Sequence, residues 1–141
     1  ELKGRISYHY EVYPRFGGMS ACFVLSLDGE MIKTFGELYS MAQLEEQGKW
    51  KPGQSLYSIP MEDRDEFADY EFSNALKSYR NQSIQTSITS DNPIVRMFAI
   101  LDRRVGKRTL ARLKDSFNDQ PEWLRRLYEA RILRYVTATN K

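Results

Sequence analysis

Polar and apolar residues alternate near the start of the chain, and this pattern predicts strands. Residues 5–14 alternate with the period of two that is typical of a half-buried strand. Residues 20–27 predict a second strand, Asp28-Gly29 predicts a tight hairpin turn, and residues 30–35 predict a third strand. We expect the apolar side of the first strand to face the core, namely Ile6, Tyr8, Tyr10 and Val12.

The register of the third strand and the number of strands are left open by the sequence. The segment Phe16-Gly17-Gly18 predicts a turn between the first two strands. For the third strand, a two-residue hairpin loop places Ile32 toward the core, whereas a three-residue loop places Met31 and Phe35 there. Residues 55–59 could add a short fourth strand.

Apolar residues recur three and four positions apart through the rest of the chain, which predicts helices. The expected helix starts are Glu37, Pro60, Pro93 behind the N-cap Asn92, the residue after Gly106, and Pro121. The helix from Pro60 is expected to run for about five turns, and residues 82–89 fit a helix better than a strand. Strands followed by helices predict an α+β fold, an N-terminal antiparallel β-meander of three or four strands packed by three or four C-terminal helices.

Composition predicts one globular domain over residues 1–141, with strands mainly in 1–60 and helices mainly in 61–141. The chain is 41% hydrophobic and 28% charged, which is ordinary for a folded domain. Its longest apolar stretches fall far short of the ~20 residues that a membrane-spanning helix needs. The chain begins without Met, so we expect it to be part of a longer protein.

Cysteine and histidine are too rare for several classes of protein. The single cysteine, Cys22, and the single histidine, His9, exclude an internal disulfide and metal motifs with two histidines. No glycine-rich phosphate loop or nucleophile elbow occurs, so we expect no cofactor. A free cysteine without a secretion signal favours the cytoplasm.

Charge is distributed unevenly along the chain. Residues 1–95 carry nine Lys/Arg against fourteen Asp/Glu, whereas residues 96–141 carry twelve against five. The candidate binding residues are Arg96, Arg103, Arg104, Lys107, Arg108 and Arg112. Arg96, Arg103 and Lys107 share one helical stripe if the helix from Pro93 continues that far. Guanidinium groups grouped in this way bind phosphate oxygens.

These charges predict a non-enzymatic cytoplasmic binding or adaptor protein that engages an acidic partner, either nucleic acid or protein. Two alternatives are a merely solvated helix face and neutralisation by the acidic residues 62–71. Asp102 could also hold the neighbouring arginines by ion pairing. Trp50, in a Pro/Gly loop between two lysines, is expected at the surface, where it could contact a partner. The oligomeric state is left open.

An enzyme is the alternative class, and two sets of residues could serve it. Pairing the apolar faces of the first two strands brings His9, Glu11 and Cys22 to the opposite face, where the cysteine could act as a nucleophile. A second set of carboxylates could hold a divalent metal, namely Asp65, Glu66 and Asp69. The sequence contains no sign of an oxyanion hole or an activated thiolate beside Cys22.

Two stretches in the second half of the chain resemble small uncharacterised bacterial cytoplasmic proteins. They are Ser90-Asp91-Asn92-Pro93 and Asp102-Arg103-Arg104-Val105-Gly106-Lys107-Arg108. The resemblance implies a bacterial, cytoplasmic origin. It implies no activity, substrate or cofactor.

Overall fold

A three-stranded antiparallel sheet is followed by helices, which confirms the predicted α+β class. A computed structural model describes residues 2–15 and 18–138, and the side chains of residues 2–14 and 19–133. The strands are β1 (Ile6–Arg15), β2 (Gly18–Leu27) and β3 (Glu30–Phe35), in the order β1-β2-β3. The helices are α1 (Glu37–Glu46), α2 (Asp69–Arg80), α3 (Ile84–Ile88), α4 (Pro93–Leu101), α5 (Lys107–Leu113) and α6 (Glu122–Ala138).

The β2–β3 hairpin closes through the predicted two-residue turn. Asp28 and Gly29 have φ values of 53° and 83°, and two successive positive φ angles match the twist of the flanking strands. Arg5 donates hydrogen bonds to the Asp28 carboxylate from Nε at 2.7 Å and from Nη2 at 2.6 Å. The other predicted turn falls on Phe16 and Gly17, which lie outside the described residues.

A β-bulge in β3 decides which of its side chains enter the core. The pairing passes from Ser26 opposite Met31 to Leu25 opposite Lys33, which leaves Ile32 as the extra residue. The turn has two residues, as one alternative predicted. Because the bulge shifts the register beyond it, Phe35 is nevertheless fully buried, as the other alternative predicted. Met31 remains exposed.

The expectation that the apolar residues of β1 lie in the core is wrong for three of them. Tyr8, Tyr10 and Val12 are 46%, 54% and 49% exposed. The reason is the position of Phe72 on α2, whose ring stacks on Phe23 of β2 at 4.3 Å. The ring of Phe72 thus lies over the central strand β2, and on the edge strand β1 it contacts Tyr8 only edge-on, at a centroid distance of 6.1 Å.

Neither the fourth strand nor the long helix from Pro60 forms. Two 3-10 turns, Leu56–Ser58 and Met61–Asp63, occupy this region, and α2 begins only at Asp69. Phe67 explains the delay, because it is fully buried and pairs with Phe35 in a parallel bridge that needs an extended backbone. A buried tertiary contact therefore overrides the local helical pattern.

The start of α2 is fixed by Glu71. Its carboxylate pairs with the Arg64 guanidinium, and both side chains are almost completely buried. Glu71 Oε2 also accepts the backbone N–H of Ala68 at 2.7 Å, which satisfies a donor at the helix N-terminus. Arg64 in turn donates to the carbonyl oxygens of Ile59 and Glu66, at 3.0 Å and 2.7 Å.

Trp50 lies closer to the core than its loop suggests. It is half-buried and packs against a cluster of Leu44, Leu56 and Ala68. Its indole N–H donates to the carbonyl of Gln54 at 3.0 Å. The residue thus anchors its loop.

The helix starts predicted in the second half of the chain agree better with the structure than those predicted in the first half. Asn92 Oδ1 accepts the backbone N–H groups of Ile94 and Val95, and Pro93 is the first helical residue of α4. Residues 82–89 contain α3, as favoured. However, α4 ends at Leu101, so the predicted single stripe of Arg96, Arg103 and Lys107 does not exist. Gly106 is the N-cap of α5.

The chain divides into two compact units with opposite charge. One is Arg5–Asn74 and the other is Ala75–Lys141 with Glu1–Gly4. The first carries six Lys/Arg and twelve Asp/Glu, a formal charge of −6, and is called the acidic unit below; the second carries fifteen and seven, a charge of +8, and is called the basic unit. The single domain expected over residues 1–141 stays a prediction.

We expect Gly36→Ala to destabilise the protein by about 1–3 kcal/mol more than Gly106→Ala. Both glycines are helix N-caps, so both variants lose the same capping preference. A Cβ at Gly36 would lie 2.8 Å from Cys22 Cβ, whereas nothing lies within 4 Å of one at Gly106. Urea unfolding measures the difference. Equal destabilisation of the two variants would contradict the close approach.

Candidate functional site

The turn between α4 and α5 is organised by the Asp102 carboxylate. Asp102 Oδ1 accepts the backbone N–H of Arg104 at 2.7 Å, and Oδ2 accepts from Arg104 Nη2 at 2.7 Å. The hydroxyl of Tyr79, on α2, also donates to Oδ2. The predicted clasp of an arginine by Asp102 is confirmed, with Arg104 as the arginine held.

These contacts shift the pKa values of all three groups. The hydrogen bonds from Arg104, followed by that from Tyr79, hold the pKa of Asp102 well below its usual range. The same carboxylate raises the pKa of Arg104. Burial, and then the hydrogen bond to Asp102, raises the pKa of Tyr79. At neutral pH the turn therefore holds a charged carboxylate and a charged guanidinium.

A buried arginine fixes the turn from its inner side. Arg131 on α6 is only 5% exposed, and its Nη2 donates to the carbonyl oxygens of Asp102 at 3.3 Å and Val105 at 3.2 Å. Arg131 was not among the residues predicted for the site. A signal was present, because Arg131 continues the three- and four-residue spacing of Leu124, Leu127 and Tyr128, which are buried on α6. A cation within an apolar stripe indicates a buried structural contact.

Five of the six predicted binding residues are exposed around this turn. They are Arg103, Arg104, Lys107, Arg108 and Arg112, called the basic surface below. Arg104 keeps 69% of its side chain exposed while it pairs with Asp102. Arg108 and Arg112 lie four residues apart on α5 and so share one face of that helix.

Arg96, the sixth predicted residue, is engaged inside the basic unit. It is half-buried and donates to Gln120 Oε1 at 2.9 Å and to the carbonyl oxygens of Ser90 and Asp91, at 2.6 Å and 3.0 Å. Burial lowers the pKa of its guanidinium. Arg96 thus ties the loop before α4 to residue 120 rather than extending the basic surface.

Two acids from residues 62–71 have partners within the acidic unit. Glu71 pairs with Arg64, as described above. Glu66 Oε1 lies 3.3 Å from Lys33 Nζ, and both side chains are mostly buried. These two carboxylates are therefore already committed to local cations.

The same contacts disfavour the metal alternative at Asp65, Glu66 and Asp69. The ammonium group of Lys33 lies beside Glu66 and donates to the carbonyl oxygen of Asp65, so a cation is already present. Burial raises the pKa of Glu66. Within the part of the chain that the structure describes, no group of three or more His, Cys, Asp or Glu could hold a metal ion.

The cysteine alternative has the predicted register but not the required chemistry. Glu11 lies opposite Cys22, and His9 Nε2 lies 3.1 Å from Glu11 Oε1. Cys22 is only 6% exposed, and burial raises the pKa of its thiol, followed by the negative charges of Glu11 and Asp69. A nucleophilic cysteine needs a lowered pKa and access to substrate. Cys22 has the properties of a packing residue.

A comparison with protein families covers nearly the whole chain. The model of the SF0329 protein family matches residues 1–132. The chain belongs to the SF0329 protein family. No curated protein and no solved structure matches it.

The family match covers the whole acidic unit, the basic unit as far as residue 132, and every residue of the basic surface. The description of the SF0329 family names no activity or ligand, so the geometry of the site carries the functional argument. For this member of the SF0329 family, none of the described helices is both long and apolar enough to cross a bilayer.

We expect Asp102→Asn to destabilise the protein by about 1–3 kcal/mol at neutral pH, because Tyr79 and Arg104 lose a charged acceptor. The folded pKa of Asp102 is lowered, so its contribution is present above about pH 4, the usual value for an unfolded Asp, and is lost as the pH falls further. The difference from wild type should therefore shrink below about pH 4. Urea unfolding between pH 3 and pH 7 measures it.

Asp115→Asn is the matched control, because Asp115 is an exposed aspartate in the same unit. It should change stability by less than about 0.5 kcal/mol, as is usual for surface substitutions. An Asp102→Asn variant as stable as this control would show that the clasp contributes nothing.

We expect Cys22 to react with a thiol reagent far more slowly in the native protein than in urea, because the thiol is buried and its pKa is raised. Absorbance of the released chromophore at several pH values measures the rate. If the native protein were labelled at neutral pH at a rate close to that of an activated thiolate, Cys22 would again be a candidate nucleophile.

Proposed function

We propose that this protein is a non-catalytic binding protein whose basic surface engages the phosphate backbone of a nucleic acid. The observation that carries the proposal is the turn at residues 102–106. Its backbone is held from inside by Arg131 and its carboxylate by Arg104 and Tyr79, while the basic surface stays exposed.

Charge supports this choice of partner. The basic unit carries a formal charge of +8, and clustered like charges gain free energy when they replace the counterions of a polyanion. Among the residues that the structure describes, no carboxylate lies within ion-pair distance of Arg103, Arg108 or Arg112. These guanidinium groups are therefore available to phosphate oxygens.

Preorganisation supports it further. Ordering flexible groups costs free energy on binding, and a surface that is already fixed avoids part of that cost. Arg103 and Arg104 project from a turn whose backbone is anchored at Asp102 and Val105. Planar guanidinium groups on such a turn suit bidentate contacts to phosphate.

The proposal includes a cytoplasmic location. The free, buried thiol of Cys22 supports it, because such thiols persist in reducing compartments. The bacterial origin implied by the two resembling stretches remains part of the proposal as well.

We expect the protein to bind a mixed-sequence, fluorescently labelled nucleic acid. The affinity of the complex should fall steeply as the salt concentration rises. A plot of log Kobs against log salt concentration should be linear, with a slope of about −0.9 for each phosphate that is neutralised. Fluorescence anisotropy between 50 and 300 mM salt measures it. Absence of binding at the lowest salt would remove the nucleic-acid function.

Single substitutions locate the contact. Arg103→Ala, Arg108→Ala and Arg112→Ala should each reduce the magnitude of the slope by about 1 if each residue contacts one phosphate. Lys51→Ala removes the same formal charge from an exposed site in the acidic unit and should leave the slope unchanged. If polyglutamate competes as strongly as nucleic acid, the partner is an acidic protein instead.

A further inference from the structure

The exposed face of α5 carries positive charge on two sides of a small residue. Arg108 and Arg112 lie on one side of this face, and helical spacing places Lys107 and Lys114 on the other. Lys114 is the C-cap and keeps helical backbone angles, so it continues its side of the helix. Ala111 lies between the two sides. All five side chains are exposed, and no acidic residue occurs among them.

The opposite face of α5 fixes the helix to the basic unit. Leu110 is only 1% exposed, and Thr109 and Leu113 are half-buried on the same side. The helix packs against α6, and Arg131 of α6 also holds the turn before it. The basic side chains of α5 therefore project from a backbone that is anchored beneath them.

Lys114 adds a cation that the basic surface did not include. Within the described part of the chain, no carboxylate lies within ion-pair distance of Lys114, Arg108 or Arg112. A helix with cations on both sides of a small residue is complementary to two rows of phosphates with a groove between them. A single row of phosphates would leave one side of α5 without a partner.

We propose that α5 enters the major groove of double-stranded DNA, with Ala111 toward the base edges and the cations on its two sides toward the phosphates of the two strands. This inference rests on the proposed function, because it names the form of nucleic acid that the basic surface binds. The major groove of B-form DNA is about 12 Å wide and admits an α-helix, which measures about 10–12 Å across with its side chains.

The shapes of the other grooves select duplex DNA. The minor groove of B-form DNA is only about 6 Å wide, which is too narrow for a helix. The major groove of an RNA duplex is deep and narrow, and side chains cannot read it. At the centre of the inserted face, the small side chain of Ala111 lets the helix come close to the bases, where an alanine methyl can contact the methyl group of thymine.

The connection from α4 to α5 fits the same placement. In helix-turn-helix proteins two helices are joined by a short turn, and the second helix lies in the major groove. Here residues 102–106 join α4 to α5, and six of the nine residues of α4 are buried. Of these two helices, α5 is thus the one that can enter a groove. The likeness is one of arrangement alone.

Three duplexes of one mixed sequence test the groove on the full chain. They are unmodified DNA, the corresponding RNA, and DNA whose cytosines are replaced by glucosylated 5-hydroxymethylcytosine, which fills the major groove without changing the charge. Fluorescence anisotropy at one low salt concentration should show the unmodified DNA bound at least tenfold more tightly than either of the other two. Affinity for the glucosylated DNA or for the RNA equal to that for unmodified DNA overturns the insertion of α5 and leaves the proposed function standing. Absence of binding to all three overturns both.

A bulky substitution tests the centre of the exposed face. Ala111→Trp should hold the helix away from the base edges and weaken binding to unmodified DNA about tenfold, with little change for the glucosylated duplex. Ser78→Trp is the matched control, because it adds the same bulk at an exposed helical residue of the same unit. It should leave the affinity unchanged. If the two variants, both folded by circular dichroism, bind unmodified DNA equally, the proposal is wrong.

A charge deletion tests the second side of the helix. Lys114→Ala should reduce the magnitude of the salt slope by about 1, as expected for a residue that contacts one phosphate. Lys77→Ala removes the same charge from an exposed position on α2 in the same unit and should leave the slope unchanged. A slope that Lys114→Ala does not change, while Arg112→Ala does, would mean contact from one side alone and overturns placement in a groove.

Discussion

The buried ion pair between Arg64 and Glu71 is the contact on which the arrangement of α2 depends. Glu71 holds the guanidinium and the backbone N–H of Ala68 together, so the helix begins at Asp69 and not at Pro60. That starting point places Phe72 on the ring of Phe23. A buried charge that loses its partner is strongly destabilising, so this pair, together with the Phe35–Phe67 bridge, holds the start of α2 in place.

Local signals in the sequence were sufficient wherever a few adjacent residues determine the backbone. Asp28-Gly29 predicted the hairpin turn, and Asn92-Pro93 predicted the start of α4. Contacts between distant residues could not be predicted in this way. The bulge at Ile32 and the bridge of Phe67 with Phe35 both depend on partners far along the chain. Periodicity also identified the apolar face of β1 correctly but could not tell that Tyr8, Tyr10 and Val12 stay about half exposed.

The sequence identified most residues of the candidate site, but it predicted only part of their exposure and contacts. The run of basic residues located the turn, and the clasp by Asp102 followed from its neighbours. Which arginines face solvent was not predictable, because the half-burial of Arg96 depends on its contacts with Ser90 and Gln120, which the local pattern does not show. The role of Arg131 required knowledge that α6 approaches the carbonyl oxygens of residues 102 and 105. Exposure and tertiary partners are the properties that a one-dimensional pattern does not contain.

Lys33 illustrates what the bulge in β3 entails. It lies opposite the buried Leu25, with its ammonium group 5.7 Å from the centre of the Phe67 ring and beside Glu66. If the segment around Phe67 detached, the Lys33 ammonium group would lose the Glu66 carboxylate and would be left as an unpaired charge beside apolar residues. If β3 detached instead, Glu66 would lose its ammonium partner in the same way. Strand and segment should therefore open and close as one cooperative unit in native-state hydrogen exchange, although more than thirty residues separate them in the chain.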